Sequence, residues 1–251
     1  MVSSNGFVLV TGGSRGIGAA TAMLAAERGY DVCIGYRDRA ESAQAVVRDC
    51  ERIGVRALAV AADVAQERDV LRLFATAADR LGPLTALVNN AGVLDRQSKV
   101  VDLSAERIER ILAVNVLGAF LCAREAVRAM STGNGGAGGS IVNVSSRAAI
   151  LGGAGEYVDY AASKAAVDTL TVGLSREVAD QGIRVNAVRP GLIDTEIHAS
   201  GGEPGRVERL SSSVPMQRGG RSEEVAEAVL WLLSDQASYV TGSVIDVSGG
   251  R

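Results

Sequence analysis

Tyr160 and Lys164 stand four residues apart in the run Tyr160-Ala161-Ala162-Ser163-Lys164. On a helix that spacing puts both side chains on one face, one turn apart. An ammonium beside a phenol favours the phenolate by charge attraction. A phenol tuned in this way can exchange a proton near neutral pH, which an ordinary phenol of pKa about 10 does poorly. Ser145 and Ser146 follow a strand-like segment and could bring a hydroxyl to a carbonyl oxygen at the same point. Neighbouring side chains on a strand point to opposite faces, so only one of the two serines can meet Tyr160. Tyr157 shares the face of Tyr160, but its i+4 position is Ala161, so it lacks a lysine partner and reads as a pocket or surface tyrosine. The chemistry implied is proton transfer at a C=O/CH–OH pair, which requires a hydride carrier.

The elements around this stretch can position such a carrier. Phe7 to Val10 is a short apolar run followed by Thr11-Gly12-Gly13-Ser14-Arg15-Gly16-Ile17-Gly18, after which Ala20, Met23, Leu24 and Ala25 show helical spacing up to Glu27-Arg28-Gly29. Glycines permit a tight turn and close backbone approach to a pyrophosphate, and the helix start offers free N–H donors. No Gly-Lys-Ser/Thr follows, so this is not a P-loop. Strand-like segments recur at Asp31–Tyr36, Arg56–Ala61, Leu84–Val88, Ser140–Val144, Ile183–Val188 and Val244–Val247. Helix-like segments lie between them at Arg39–Ile53, Glu67–Leu81, from Ser104 to about Met130, at Tyr157–Asp180 and at Ser222–Ser234. Ser104 caps its helix, with Arg107 rather than Glu at the third position, so no full capping box forms. The run Gly133 to Gly139 reads as a flexible surface turn. Alternating β and α units with near-continuous apolar strands imply a parallel sheet covered on both faces, with ligands at the C-terminal strand ends.

Composition bounds the remaining possibilities. The 251 residues carry a net charge of −3, so no general basic field gathers nucleic acid. The apolar runs are too short to cross a bilayer, and Met1 leads into a polar Val-Ser-Ser-Asn rather than a signal peptide. Cys33, Cys50 and Cys122 are scattered without CxxC spacing, which argues against a disulfide framework or a metal site and for a reducing, cytoplasmic compartment. No linker separates two domains, so residues 1–251 read as one.

In this order, Thr11-Gly-x-x-x-Gly-x-Gly18, Asn89-Asn-Ala-Gly92, Asn115, Ser146, Tyr160-x-x-x-Lys164 and Pro190-Gly191 resemble the classical short-chain dehydrogenase/reductase family over nearly the whole chain. The resemblance implies a Rossmann-like, doubly wound, seven-stranded parallel sheet and a catalytic tetrad of Asn115, Ser146, Tyr160 and Lys164. In that scheme Tyr160 protonates the substrate oxygen and Ser146, the second serine of the pair, orients it. Lys164 depresses the tyrosine pKa and binds the nicotinamide ribose, and Asn115 helps hold a water. The separation of Ser146 from Tyr160 is one residue longer than the usual family spacing, which implies an insertion in the loop from Leu151 to Glu156.

The implied cofactor contacts are Gly12, Ser14, Arg15, Gly16, Ile17 and Gly18 in the loop, Asp63 and Val64 beside adenine, and Asn90, Ala91 and Gly92 along the ribose. Pro190, Gly191, Ile193 and Thr195 fall toward the carboxamide, with Tyr160 and Lys164 on the ribose. NAD sites place Asp or Glu after the second strand; here Tyr36 and Arg37 stand there, with Arg15 in the loop. Two arginines suit a 2′-phosphate, so NADP(H) is expected; the alternative is that Asp38 takes the ribose of NAD(H). Residues 192–215 are expected to form a mobile substrate lid. Its His198 reads as an exposed loop residue, and Arg206, Arg209, Arg218 and Arg221 as a solvated face; the alternative for these arginines is an acidic or carrier-linked substrate. The activity implied is hydride transfer between NADP(H) and a small carbonyl or alcohol, by a homotetramer. The alternatives are a 3-oxoacyl-carrier-protein reductase or a glucose or other sugar dehydrogenase.

Overall fold

The computed structural model describes residues 6–251. The polar start at residues 1–5, expected not to be a targeting segment, lies outside the described residues. Seven strands, β1 (Phe7–Thr11), β2 (Asp31–Tyr36), β3 (Ala57–Ala61), β4 (Leu84–Asn89), β5 (Gly139–Val144), β6 (Ile183–Pro190) and β7 (Val244–Val247), form one sheet in the order β3-β2-β1-β4-β5-β6-β7. Every pairing is parallel. The chain starts at the middle of the sheet, winds outward to β3, then returns to wind the other way from β4. The two directions part between β1 and β4, where an open α/β sheet leaves a crevice at the C-terminal strand ends.

The helices are α1 (Gly16–Glu27), α2 (Ala40–Ile53), α3 (Glu67–Leu81), α4 (Ala105–Leu112), α5 (Gly118–Met130), α6 (Ala148–Leu151), α7 (Val158–Val178), α8 (Ile197–Ser200), α9 (Arg206–Leu210) and α10 (Ser222–Leu233). Side chains alternate along a strand, so β1 feeds two cores. Val8 and Val10 join α1, α2 and α10 on one face. Phe7 and Leu9 join α3, α5 and α7 on the other. All four are completely or almost completely buried. This two-sided burial explains why the strands read as near-continuous apolar runs.

Several expectations need correction. The helix read as continuous from Ser104 to Met130 is broken by a π turn over Ala113–Leu117. A π turn carries an extra residue and rotates the side chains around it; this one falls on Asn115. Ser104 does cap α4, accepting from the Arg107 N–H at 3.3 Å. The glycine run after α5 is not a loose turn. The Gly136 and Gly138 N–H groups donate to Ser131 O and Met130 O at 2.9 and 2.8 Å, fixing the path into β5. Residues 192–215 contain α8, α9 and a 3₁₀ turn at Ser211–Ser213. Among the described residues, no helix is long and apolar enough to cross a membrane.

Candidate active site

The sheet brings the glycine loop and α7 to opposite sides of the crevice. Thr11 Oγ1 accepts from the Asn90 and Ala91 N–H groups at 3.0 Å each, and Asn90 Nδ2 donates to Thr11 O and Gly12 O. The ends of β1 and β4 are thereby locked together beneath the loop. Gly16 takes φ +53°, a left-handed conformation that a side chain rarely adopts. A Cβ at Gly18 would meet Gly12 O at 2.4 Å, so α1 packs here only as glycine. The residue before α1, Arg15, gives no side-chain cap, and its first turn has no acidic residue. The free N–H groups at this helix start suit an anion.

A cavity of about 540 Å³ opens over this helix start. Gly12, Ser14, Arg15, Gly16 and Ile17 line it, as do Tyr36 and Arg37, Asp63 and Val64, Asn90 to Gly92, and Thr195. Arg39 and Glu196, which the sequence reading did not single out, line it too. Gly18 lies behind it as a packing residue.

A second cavity of about 200 Å³ adjoins the first, sharing Ile17, Asn90, Gly92, Thr195 and Ile197 with it. Ser146, Tyr160 and Lys164 meet in its wall, together with Pro190, Gly191 and Ile193. The position of α7 on β5 is set by polar bonds. Ser145 Oγ donates to Lys164 O at 3.1 Å, and Lys164 Nζ donates to Val144 O at 2.7 Å. Deeper in, Asn89 Nδ2 donates to Asn143 Oδ1, and Asn143 Nδ2 to Thr171 Oγ1. Ser145 is therefore spent on holding the helix, and Ser146 is left facing the cavity. Asn115 lines neither cavity. Its Oδ1 accepts from the Val93 N–H at 2.8 Å, and its Nδ2 donates to Val93 O and Ser163 Oγ at 3.0 and 2.9 Å. It ties the π turn to the segment after β4 and to α7.

The electrostatics differ from the simple pairing argument. Lys164 Nζ lies 5.8 Å from the centre of the Tyr160 ring. Burial pushes the Tyr160 phenol above its ordinary value, and the Ser146 hydroxyl draws it back only in part. The expected depression by Lys164 does not dominate in this arrangement. Burial also lowers the Lys164 amine to about 8, with Asp168 opposing the shift. Desolvation disfavours both charged forms; Lys164 is buried and Tyr160 half-buried in the cavity wall.

The far wall of the second cavity corrects two readings. Arg206 is not on a solvated face. It is 8% exposed, pairs with Glu156 at 2.5 Å and Glu203 at 2.7 Å, and stacks 5.1 Å over the Tyr157 ring. His198 is half-buried rather than exposed; its Nε2 lies 2.8 Å from Ile193 O, and its Nδ1 is buried without a partner among the described residues. Burial holds its pKa below the usual histidine value. Tyr157 is buried in the same wall. Arg209 and Arg218 form ion pairs with Glu203 and Glu224 at the surface. Among the described residues, no group of three or more His, Cys, Asp or Glu could hold a metal.

A doubly wound sheet, a glycine loop at its switch point and a Ser–Tyr–Lys cluster beside it define a dinucleotide-dependent oxidoreductase. The model of the family described as enoyl-(acyl carrier protein) reductase matches residues 12–251. The uncharacterized oxidoreductase YgfF of Escherichia coli is 60% identical over 243 residues, covering 97% of this chain and 98% of the relative. The cis-4-hydroxycyclohexanecarboxylate dehydrogenase of Sinomonas cyclohexanicum is 43% identical over 245 residues, covering 96% and 94%. A short-chain dehydrogenase from Burkholderia cenocepacia, crystallised in complex with NADP, superposes with a TM-score of 0.90 at 36% identity, covering 98% of each chain. The chain belongs to the short-chain dehydrogenase/reductase family, whose members use a nicotinamide cofactor.

Replacing Asn115 by Ala strips the Val93 N–H and C=O of their partner in a buried site. The expected cost is about 1–3 kcal/mol of stability, read as a lowered denaturant midpoint at unchanged slope.

Proposed function

We propose that this protein is an NADP(H)-dependent oxidoreductase that interconverts a small-molecule carbonyl and its secondary alcohol. The observation that carries this reading is the meeting of Ser146, Tyr160 and Lys164 in the wall of the smaller cavity, which adjoins the larger one. The larger cavity suits the dinucleotide: it has a capless helix start for the pyrophosphate and arginines at 15, 37 and 39 for a 2′-phosphate. A nicotinamide cofactor held there would supply or accept the hydride. Ser146 holds the substrate oxygen, and Tyr160 gives or takes the proton at that oxygen. Lys164 would hold the ribose of that cofactor and, when protonated, carries positive charge 5.8 Å from the centre of the phenol ring. Asn115 positions α7 by fixing Ser163 and the strand end opposite, rather than touching the substrate. The name of the Sinomonas relative, a dehydrogenase of a ring hydroxyl, supports a CH–OH donor. The name of a Staphylococcus aureus relative, a 3-oxoacyl-[acyl-carrier-protein] reductase 36% identical over 242 residues, supports, as a second reading, a carrier-linked 3-oxoacyl substrate.

The working unit inferred is a cytoplasmic homotetramer of a single Rossmann-fold domain spanning residues 1–251. Ile108, Leu112, Leu117 and Phe120 form a row of exposed apolar side chains along α4, the π turn and α5. Such a row suits burial against another copy. The free cysteines Cys33, Cys50 and Cys122 suit a reducing compartment. Phe120→Arg is expected to lower the mass measured by light scattering from four copies to fewer.

A panel of thioesters, sugars, diketones and aldehydes, followed by NADPH absorbance, tests the activity. Tyr160→Phe should lower kcat about 100- to 10,000-fold, the usual contribution of a positioned acid. A kcat/KM clearly higher with NADH than with NADPH would overturn the cofactor assignment.

The pH dependence follows from Lys164. It keeps its proton below about 8 and loses it above. Reduction needs the charged amine, so kcat/KM in that direction should fall as pH rises through about 8. Asp168 raises the lysine pKa, so Asp168→Asn should move the break to lower pH. A break that stays in place or moves upward in the pH–rate profile would contradict this role.

A further inference from the structure

Glu196 follows Thr195 directly and is the last residue before α8. Its Oε2 accepts from Arg15 Nη1 at 2.9 Å and lies 3.0 Å from Arg39 Nη1. Arg15 is the residue before α1, and Arg39 the residue before α2. Three chain segments, each about to enter a helix, thus converge on one carboxylate oxygen. All three side chains line the larger cavity next to Tyr36 and Arg37. Arg37 is turned toward Asp38, its Nε at 2.6 Å from Oδ2.

Two guanidinium groups aimed at one oxygen form an arrangement that recognises a phosphomonoester. Here the oxygen comes from the protein. A phosphomonoester carries close to two negative charges and three oxygens, against one charge on a carboxylate. Both anions cannot keep both arginines without like-charge repulsion. We propose that Glu196 is a built-in competitor for the 2′-phosphate, tying the first turn of the lid to Arg15 and Arg39 until a 2′-phosphorylated ligand takes the two arginines over. This rests on the NADP(H) reading of the cavity. Arg39 then becomes a phosphate-reading residue beside Arg15. The lid becomes responsive to the adenosine end of the cofactor, because the contact released there belongs to the residue that starts α8. The rival role for Glu196, accepting from an unphosphorylated ribose hydroxyl, predicts effects of the opposite sign.

The side chains of Arg15, Arg39 and Glu196 are 36%, 51% and 56% exposed, so water and salt screen the pairs and the effect is modest. The test is calorimetric titration of the full chain with 2′,5′-ADP and 5′-AMP, with hydrogen exchange over residues 197–200. The wild type should bind 2′,5′-ADP more tightly than 5′-AMP. Glu196→Gln should bind 2′,5′-ADP a further ~3- to 10-fold more tightly, with 5′-AMP unchanged, as removal of weak screened pairs implies. Arg39→Ala should lose about tenfold for 2′,5′-ADP alone, as loss of one charge-assisted contact implies. In the wild type 2′,5′-ADP, but not 5′-AMP, should speed exchange at residues 197–200; in Glu196→Gln exchange should be fast from the outset. If the wild type does not distinguish the two nucleotides, the NADP(H) reading falls and the competitor role with it. If it does distinguish them but Glu196→Gln gains nothing, or weakens 5′-AMP, the competitor role alone is overturned.

Discussion

The register of α7 on β5 is the constraint on which the candidate site depends. A helix lying on a sheet can slide or roll at small cost if only apolar contacts hold it, because those contacts have no direction. Here three directional bonds remove that freedom: Ser145 to Lys164 O, Lys164 Nζ to Val144 O, and Asn143 to Thr171. They are buried, so breaking one leaves a polar group without water to replace it. The helix is fixed to within a hydrogen-bond length, and Tyr160 with it. Ser146 directly follows Ser145 at the end of β5, so hydroxyl and phenol are referred to one frame.

That frame also explains why burial outweighs pairing in the site's charges. Tyr160 is half-buried and Lys164 buried in the cavity wall, and each is pushed toward its neutral form. A lysine near 8 can gain or lose a proton within the ordinary working range, whereas a lysine at its usual value could not. Asp168, one turn further along α7, opposes the loss. It is itself held by Arg189 at 2.9 Å.

Much of this was legible in the residues. The central strands announce themselves as short, near-continuous apolar runs because both faces of the sheet are covered there. The glycine loop, the Asn-Asn-Ala-Gly segment and the Tyr/Lys spacing are local patterns, and they fall in the crevice as a set. What was not legible rests on distant pairing. Glu196 and Arg15 are 181 positions apart, and Arg206 and Glu156 are 50 apart. No window along the chain relates such residues, so Arg206 read as one more surface cation. The π turn was hidden for a different reason: Ala113 to Leu117 keep helical composition, and the break comes from Asn115 bonding to Val93 rather than from a breaker residue.

The Arg206 clasp carries a mechanical consequence. Its guanidinium grips Glu156, beside the first turn of α7, and Glu203, within the lid, while lying over Tyr157. The far wall of the smaller cavity and the root of the helix bearing the phenol are therefore joined through one buried cation. Anything that moves that wall pulls on that root. On the proposed reading, admission of a bulky guest and alignment of the Tyr160 phenol are therefore coupled through Arg206.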